Sequence, residues 1–182
     1  MKLHIFGASG AGVTTTGLAC AEELRIPYFD SDFYFWEETQ EPFTIRRDPP
    51  LRNQQLETDI RRHTSWVLGG SVFDWQINLI NQITHAVFLW IPLEVRIERL
   101  KLRELQRYGT VIYTDAQRNK QFNDFIRWAS GYDNGTARGR TLRAHEQWMN
   151  TLPCKVLELR GDITLETRLQ SISNYLDRSL TS

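Results

Sequence analysis

The chain has 182 residues, 41% of them hydrophobic and 24% charged, proportions that suit one packed α/β domain. Lys+Arg and Asp+Glu are both 22, so the net charge is zero and no global field draws nucleic acid or an anionic membrane. No apolar run approaches the ~20 residues of a membrane helix, and Cys20 and Cys154 are too few and too far apart for a metal framework.

A first strand is expected over residues 2–6, ending at Gly7, and it leaves no room for a signal peptide. With the sparse cysteines, this predicts a reduced, cytoplasmic setting. A helix is expected over 14–24, then a short strand at Pro27-Tyr-Phe ending on Asp30. Pro49-Pro50 opens a helix near 50–63, since proline is welcome in a first turn. Ser65-Trp-Val-Leu reads as a third strand stopped by Gly69-Gly70, and a short helix is expected at 75–83. His85-Ala-Val-Phe-Leu-Trp-Ile is continuously apolar, as a strand buried on both faces should be. A helix over about 93–107 follows, then a polar, aromatic-rich stretch at 108–150 that is helical in parts. A last strand at 155–159 and a closing helix at 164–180 complete the chain. Alternating strands and helices predict a single α/β domain, a parallel sheet with helices on both faces, carrying 108–150 as an insertion. Ligands of such sheets bind at the carboxyl ends of the strands. The distinctive loops there are 7–15, 30–34 and 69–74.

The first of these reads Gly7-Ala-Ser-Gly-Ala-Gly-Val-Thr. The phosphate-loop pattern is Gly, four residues, Gly, Lys, then Ser or Thr. Gly7, Gly10 and Gly12 let backbone amides reach phosphate oxygens, and the following helix adds its dipole. The candidate nucleotide contacts are Gly7, Ser9, Gly10, Ala11, Gly12, Val13, Thr14 and Thr15. Thr14 stands where the hydroxyl ligand of Mg2+ belongs, and Val13 stands in the lysine's place. A glycine-rich turn without a ligand is the competing reading. In the second loop, Asp30-Ser-Asp32 offers two carboxylates. One can hold Mg2+ through water, and the other can accept a proton from a substrate hydroxyl. Alternatively, one of them only caps a following helix.

These residues carry a resemblance. Gly7-Ala-Ser-Gly-Ala-Gly-Val-Thr-Thr-Thr followed by Pro27-Tyr-Phe-Asp-Ser-Asp resembles the nucleoside monophosphate kinase and shikimate/gluconate kinase group. Nearly the whole chain is similar to bacterial adenylate kinase-related P-loop proteins, in which Thr commonly replaces the loop lysine. The similarity takes in Trp66-Val-Leu-Gly-Gly-Ser, Trp128-Ala-Ser-Gly-Tyr-Asp and His145-Glu-Gln-Trp. It implies a five-stranded parallel core, an ATP site on the phosphate loop and a mobile lid.

Arg99, Arg103 and Arg107 recur every four residues on one predicted helix, with Arg96 three before. Like charges at this spacing cost about 0.2–0.5 kcal/mol per pair, a cost that a bound anion relieves. The resemblance implies that Arg99 and Arg103 border the nucleotide; a solvated helix face is the alternative. In the insertion, Arg138, Arg140 and Arg143 are expected within two helical turns. Lid arginines of the resembled kinases close over the phosphates, which makes Arg138 and Arg140 candidate catalytic cations in place of the missing lysine. Phe122, Phe125, Trp128 and Trp148 are expected to pack the lid. His145 is expected to be structural, without a serine or cysteine partner. Asp74, after Gly69-Gly70-Ser71, is a further candidate for the Mg2+ shell.

The expectation is an ATP- and Mg2+-dependent phosphotransferase acting on a small metabolite or nucleotide, as monomer or homodimer. Thr14 and Asp30 would hold Mg2+, and Asp32 would serve as base. The alternative is a nucleotide-binding protein of weak or no turnover whose output is lid closure, and Val13 favours it.

Overall fold

The computed structural model describes residues 1–180. Its five strands are β1 (Lys2–Gly7), β2 (Tyr28–Asp30), β3 (Trp66–Gly69), β4 (His85–Trp90) and β5 (Val156–Arg160). They form one parallel sheet in the order β2-β3-β1-β4-β5. β1 is central, paired on one side to β3 and on the other to β4. The chain winds outward from β1 to β2, returns through β3, and crosses to β4, so the reversal falls at β1. The crevice at such a reversal opens above the carboxyl end of the strand, here Gly7 and the loop beyond it.

Period-two alternation along the central strands divides the core. Leu3, Ile5, Val67, Val87 and Leu89 point to one face, where α1 (Val13–Leu24) and α8 (Leu165–Leu180) supply Cys20, Ala21, Ile172 and Leu176. Phe6, Trp66, Leu68 and Phe88 point to the other, against Leu56 and Ile60 of α3 (Pro49–Ile60) and Trp148. As expected for a doubly covered sheet, β4 is almost wholly apolar and buried from Ala86 to Leu89.

Three elements differ from expectation. After β2 the chain makes one short helix, α2 (Ser31–Phe35), because Asp30 accepts the Asp32 amide at 2.9 Å and caps it. Residues 36–46 then form a closed loop: Trp36 and Arg46 bridge antiparallel, and the Glu37 amide donates to the Ile45 carbonyl at 2.8 Å. The helix expected at 75–83 shrinks to a 3-10 turn, Asn78–Gln82.

Residues 108–150 follow α4 (Leu93–Tyr108) as α5 (Val111–Thr114), α6 (Ala116–Ser130) and α7 (Leu142–Met149). Trp148 is not lid packing. It is 8% exposed and lies edge-on to Phe6 with ring centroids 4.9 Å apart. Arg138 and Arg140 lie in the non-helical link between α6 and α7, so the expected helical cluster with Arg143 does not form. No described helix is long and apolar enough to cross a membrane.

Candidate functional site

The loop after β1 is shaped by two glycines with distinct reasons. A Cβ on Gly7 would lie 2.2 Å from the Leu89 carbonyl oxygen, so only glycine lets β1 and β4 run this close. Gly12 has φ +88°, the left-handed region that side chains resist, and it forms the N-cap of α1. No side chain caps this helix and its first turn holds no acidic residue. The amides there are open to an anion, and the helix dipole favours one.

A cleft of about 1110 Å³ opens above this loop. Gly7, Ser9, Gly10, Gly12, Val13, Thr14 and Thr15 line it. Ala11 does not: its side chain is fully buried in the core, so only its backbone bears on the loop. Asp30, Asp32, Gly70, Arg99, Arg103 and Arg140 face the loop across the same space. The glycine loop, the second loop and three of the α4 arginines, Arg99, Arg103 and Arg107, therefore converge on one cavity.

Thr14 Oγ1 donates to Asp30 Oδ2 at 3.1 Å, and the Tyr28 hydroxyl donates to the same oxygen at 3.1 Å. Asp30 thus caps α2, as the alternative reading of the pair expected, and also holds the threonine of the phosphate loop. A hydroxyl and a carboxylate oxygen side by side at a phosphate loop are hard oxygen donors of the kind Mg2+ accepts, with water and phosphate completing the shell. The residues present therefore fit the ion. Asp74 is exposed, has φ +62° and does not line the cleft, which removes it from the candidate set.

Asp32 projects into the cleft. Water reaches it, but the surrounding walls desolvate its carboxyl and raise its pKa, with the nearby Asp30 adding to the rise. Arg140, Arg103 and Arg107 oppose that shift, so three guanidinium groups face this one carboxylate. Arg140 is the most intimate. Its Nη2 donates to Ser9 Oγ at 3.1 Å, which brings the α6–α7 link onto the phosphate loop. Its guanidinium also lies over Trp128, 5.3 Å from the ring centroid. Burial lowers the Arg140 pKa while Asp32 opposes the shift; an arginine stays protonated all the same. Arg138 behaves differently. Its side chain is exposed and outside the cleft, and only its carbonyl is engaged, accepting from Trp128 Nε1 at 3.1 Å. Of the two candidate cations in the link, Arg140 is at the site and Arg138 is not.

The arginine row divides in the same way. Arg96 is fully buried, pairs with Asp133 and donates to the Ile91 carbonyl at 3.2 Å, so it ties α4 to the end of α6. Arg99 pairs with Asp162 at 2.6 Å at the cleft edge. Glu104 accepts from Arg103 at 3.3 Å and from Arg107 at 3.5 Å, relieving their repulsion.

His145 does have a serine partner. Its Nε2 lies 3.0 Å from Ser71 Oγ and its Nδ1 2.8 Å from the Tyr132 hydroxyl. The ring is fully buried, and its pKa is lowered to about 3, chiefly by burial. A neutral imidazole sealed in this way holds the β3 loop to the α6–α7 link. Among the described residues there is no cluster of three or more His, Cys, Asp or Glu that could hold a metal.

Sequence reasoning missed Arg168 of α8, which lines the cleft behind the phosphate loop, and the 36–46 loop, which supplies Trp36, Glu37, Glu38, Thr39, Pro42 and Phe43 to its far end. The aromatic and acidic run Phe33-Tyr-Phe-Trp-Glu-Glu was the available signal for the latter. For Arg168 there was none, because it reaches the loop from more than 150 residues away.

A five-stranded parallel sheet with a phosphate loop at the end of its central strand defines the P-loop kinase fold. The structure of shikimate kinase from Bacteroides thetaiotaomicron superposes with a TM-score of 0.58 at 20% identity, covering 97% of this chain and 98% of that one. Deoxyadenosine kinase from M. mycoides superposes at 0.51 and 13% identity, covering 98% and 100%. Likenesses at these identities establish the fold. By sequence the chain is 38% identical over 175 residues to the uncharacterized protein YqaC of Bacillus subtilis, spanning 96% of this chain and 97% of YqaC, and it belongs to the YqaC family. No protein-family model matches the chain.

Proposed function

We propose that this protein is an ATP-dependent phosphotransferase acting on a hydroxyl of a small metabolite or nucleotide. The observation that carries the reading is the position of Asp32. It lies in the cleft with the phosphate loop, its pKa is raised, and three arginines face it. A carboxylate tuned upward at the mouth of a phosphate site suits a base better than a structural anchor.

In this reading the amides of Ser9, Gly10 and residues 12–15 bind the β- and γ-phosphates; the Ala11 amide already donates to the Ala8 carbonyl at 3.0 Å. Thr14 and Asp30 hold Mg2+, which when bound offsets phosphate charge. The acceptor hydroxyl gives its proton to Asp32 as its oxygen attacks the γ-phosphorus, and ADP departs. Arg140, already reaching Ser9, offsets charge on the transferring group. The stretch around α5 and α6 serves as the lid. The acceptor enters beside the 36–46 loop, and the protein works in the cytoplasm. Shikimate kinase and deoxyadenosine kinase share the fold, which sets two acceptor chemistries to try first.

The test is phosphoryl transfer from ATP, followed by 31P NMR, across a panel of deoxynucleosides, polyhydroxy acids and nucleoside monophosphates. One acceptor should be phosphorylated only with Mg2+ present. Tight ATP binding with no transfer to any acceptor would favour a second reading, a binding protein whose output is lid closure. Val13 in the lysine position is the observation on its side.

A further inference from the structure

Arg168 lies in α8, the last helix, yet its guanidinium is packed behind the phosphate loop. The residue is only 5% exposed. Nη1 donates to the Ala11 carbonyl at 3.0 Å and approaches Thr16 Oγ1 at 3.5 Å. A Cβ on Gly12 would lie 2.6 Å from Nη1, so the guanidinium occupies the space which that glycine leaves vacant. Its neighbouring charges do not satisfy it. Arg99 repels it, and Asp162, which attracts it, is already bonded to Arg99 at 2.6 Å. Among the described residues Arg168 makes no ion pair.

A buried cation held by one carbonyl and one hydroxyl is costly unless an anion completes it. The group lines the same cleft as Thr14 and Arg140, so the anion it can meet is one bound at the phosphate loop. Val13 offers no charge there; its side chain packs against the apolar cluster that holds Ala11 and Ile172.

We propose that Arg168 supplies from α8 the cation that Val13 does not, binding the diphosphate of a nucleoside di- or triphosphate at the phosphate loop. The inference rests on the nucleotide reading of the cleft. The two arginines then divide the work. Arg140 sits in the α6–α7 link and acts as charge develops during transfer. Arg168 is fixed in the body of the domain, so it acts on the bound ground state and appears in affinity rather than in rate.

A double-mutant cycle tests this, with MgADP affinity measured by calorimetry on the full chain. Arg168→Met should weaken MgADP binding tenfold or more. Arg168→Lys, which keeps the charge, should stay within about threefold of the parent. Val13→Lys should change the parent less than threefold but restore most of the loss in the Arg168→Met background. Parent-like MgADP affinity in Arg168→Met would overturn the proposal. An equal effect of Val13→Lys in both backgrounds would also overturn it, because Arg168 would then be a structural tie to the Ala11 carbonyl. Should Arg168→Met not fold, Val13→Lys in the parent decides: a gain of tenfold or more means that no cation was in place. A parent that binds neither MgADP nor MgATP removes the nucleotide reading itself, whereas binding that ignores Arg168 removes this inference alone.

Discussion

At the residue scale, the adjacent carboxylates of the second loop have separable roles because their surroundings differ. Asp30 is occupied by Thr14, Tyr28 and the Asp32 amide, whereas Asp32 faces the arginines across the cleft. Asparagine caps helices as well as aspartate does, so Asp30→Asn should leave the melting temperature within a few degrees of the parent yet weaken Mg2+-dependent nucleotide binding. Asp32→Asn should keep that binding and lose transfer by about 10²–10⁴-fold, the usual contribution of a positioned base. A base with a raised pKa also leaves a mark on pH dependence. Transfer should fall on acidification from a higher pH than an ordinary carboxylate gives, and that limb should vanish in Asp32→Asn. If Asp32→Asn turns over like the parent while Asp30→Asn does not, the roles are exchanged. The phosphate loop and this pair were legible in the sequence because local spacing fixes them: three glycines between a strand and a helix, and two carboxylates at a strand end. Arg138 and Arg140 were not distinguishable that way. They stand two apart in an irregular link, and contacts distant in sequence separate them: Trp128 bonds the Arg138 carbonyl and lies under the Arg140 guanidinium, which reaches Ser9.

At the scale of elements, the strands were legible wherever β-branched and aromatic residues ran to a glycine or a carboxylate. The 36–46 loop was not, because its order comes from contacts distant in sequence. Arg107 of α4 lies over Phe43, 4.1 Å from the ring centroid. The Tyr108 hydroxyl donates to the Pro42 carbonyl at 3.1 Å, and Arg118 of α6 pairs with Glu41 at 3.0 Å. These three contacts fasten the 36–46 end of the cleft to α4 and α6. A half-exposed cation–π contact is worth roughly 0.5–1 kcal/mol, and a surface ion pair no more than about 1 kcal/mol. Replacing Phe43 by Leu and Glu41 by Gln together should therefore release the loop by about 1–2 kcal/mol. Amide hydrogen exchange over 36–46 should quicken by about 5- to 30-fold, with exchange in β1 and β4 unchanged. Under the acceptor reading, KM for the acceptor should rise while nucleotide affinity holds. Unaltered exchange in the loop would mean that its own bridge and turn bonds suffice to order it.

For the whole molecule, the seam between the sheet and α7 holds two histidines that the fold keeps uncharged, His4 on β1 and His145 on α7. His4 is fully buried on β1 and stacked on Phe6, with Nδ1 3.0 Å from the Leu68 carbonyl. Nδ1 must carry the proton to donate there, and Nε2 is left without a partner. Burial pulls the His4 pKa down to about 4, and burial with the nearby Arg140 charge pulls His145 to about 3. In the unfolded chain both return to about 6.5. The unfolded state therefore binds more protons than the native state below that pH. Each histidine removes stability as the pH falls from about 6.5 towards its folded pKa, with a slope of up to about 1.4 kcal/mol per pH unit. His85 shifts in the same direction. The loss from His4 alone approaches about 3 kcal/mol, a large part of the 5–15 kcal/mol typical of a domain. Acid unfolding should thus begin near pH 5, before most carboxylates are protonated. Urea titrations should show the protons taken up on unfolding by these two sites rising from about one at pH 6.5 to nearly two at pH 5. His145→Gln, whose amide can still meet Ser71, should lower the overall stability yet reduce the uptake by about one. An uptake that the substitution leaves unchanged would mean that His145 already carries its proton in the native state, and the seal between the β3 loop and the α6–α7 link would then be open to water.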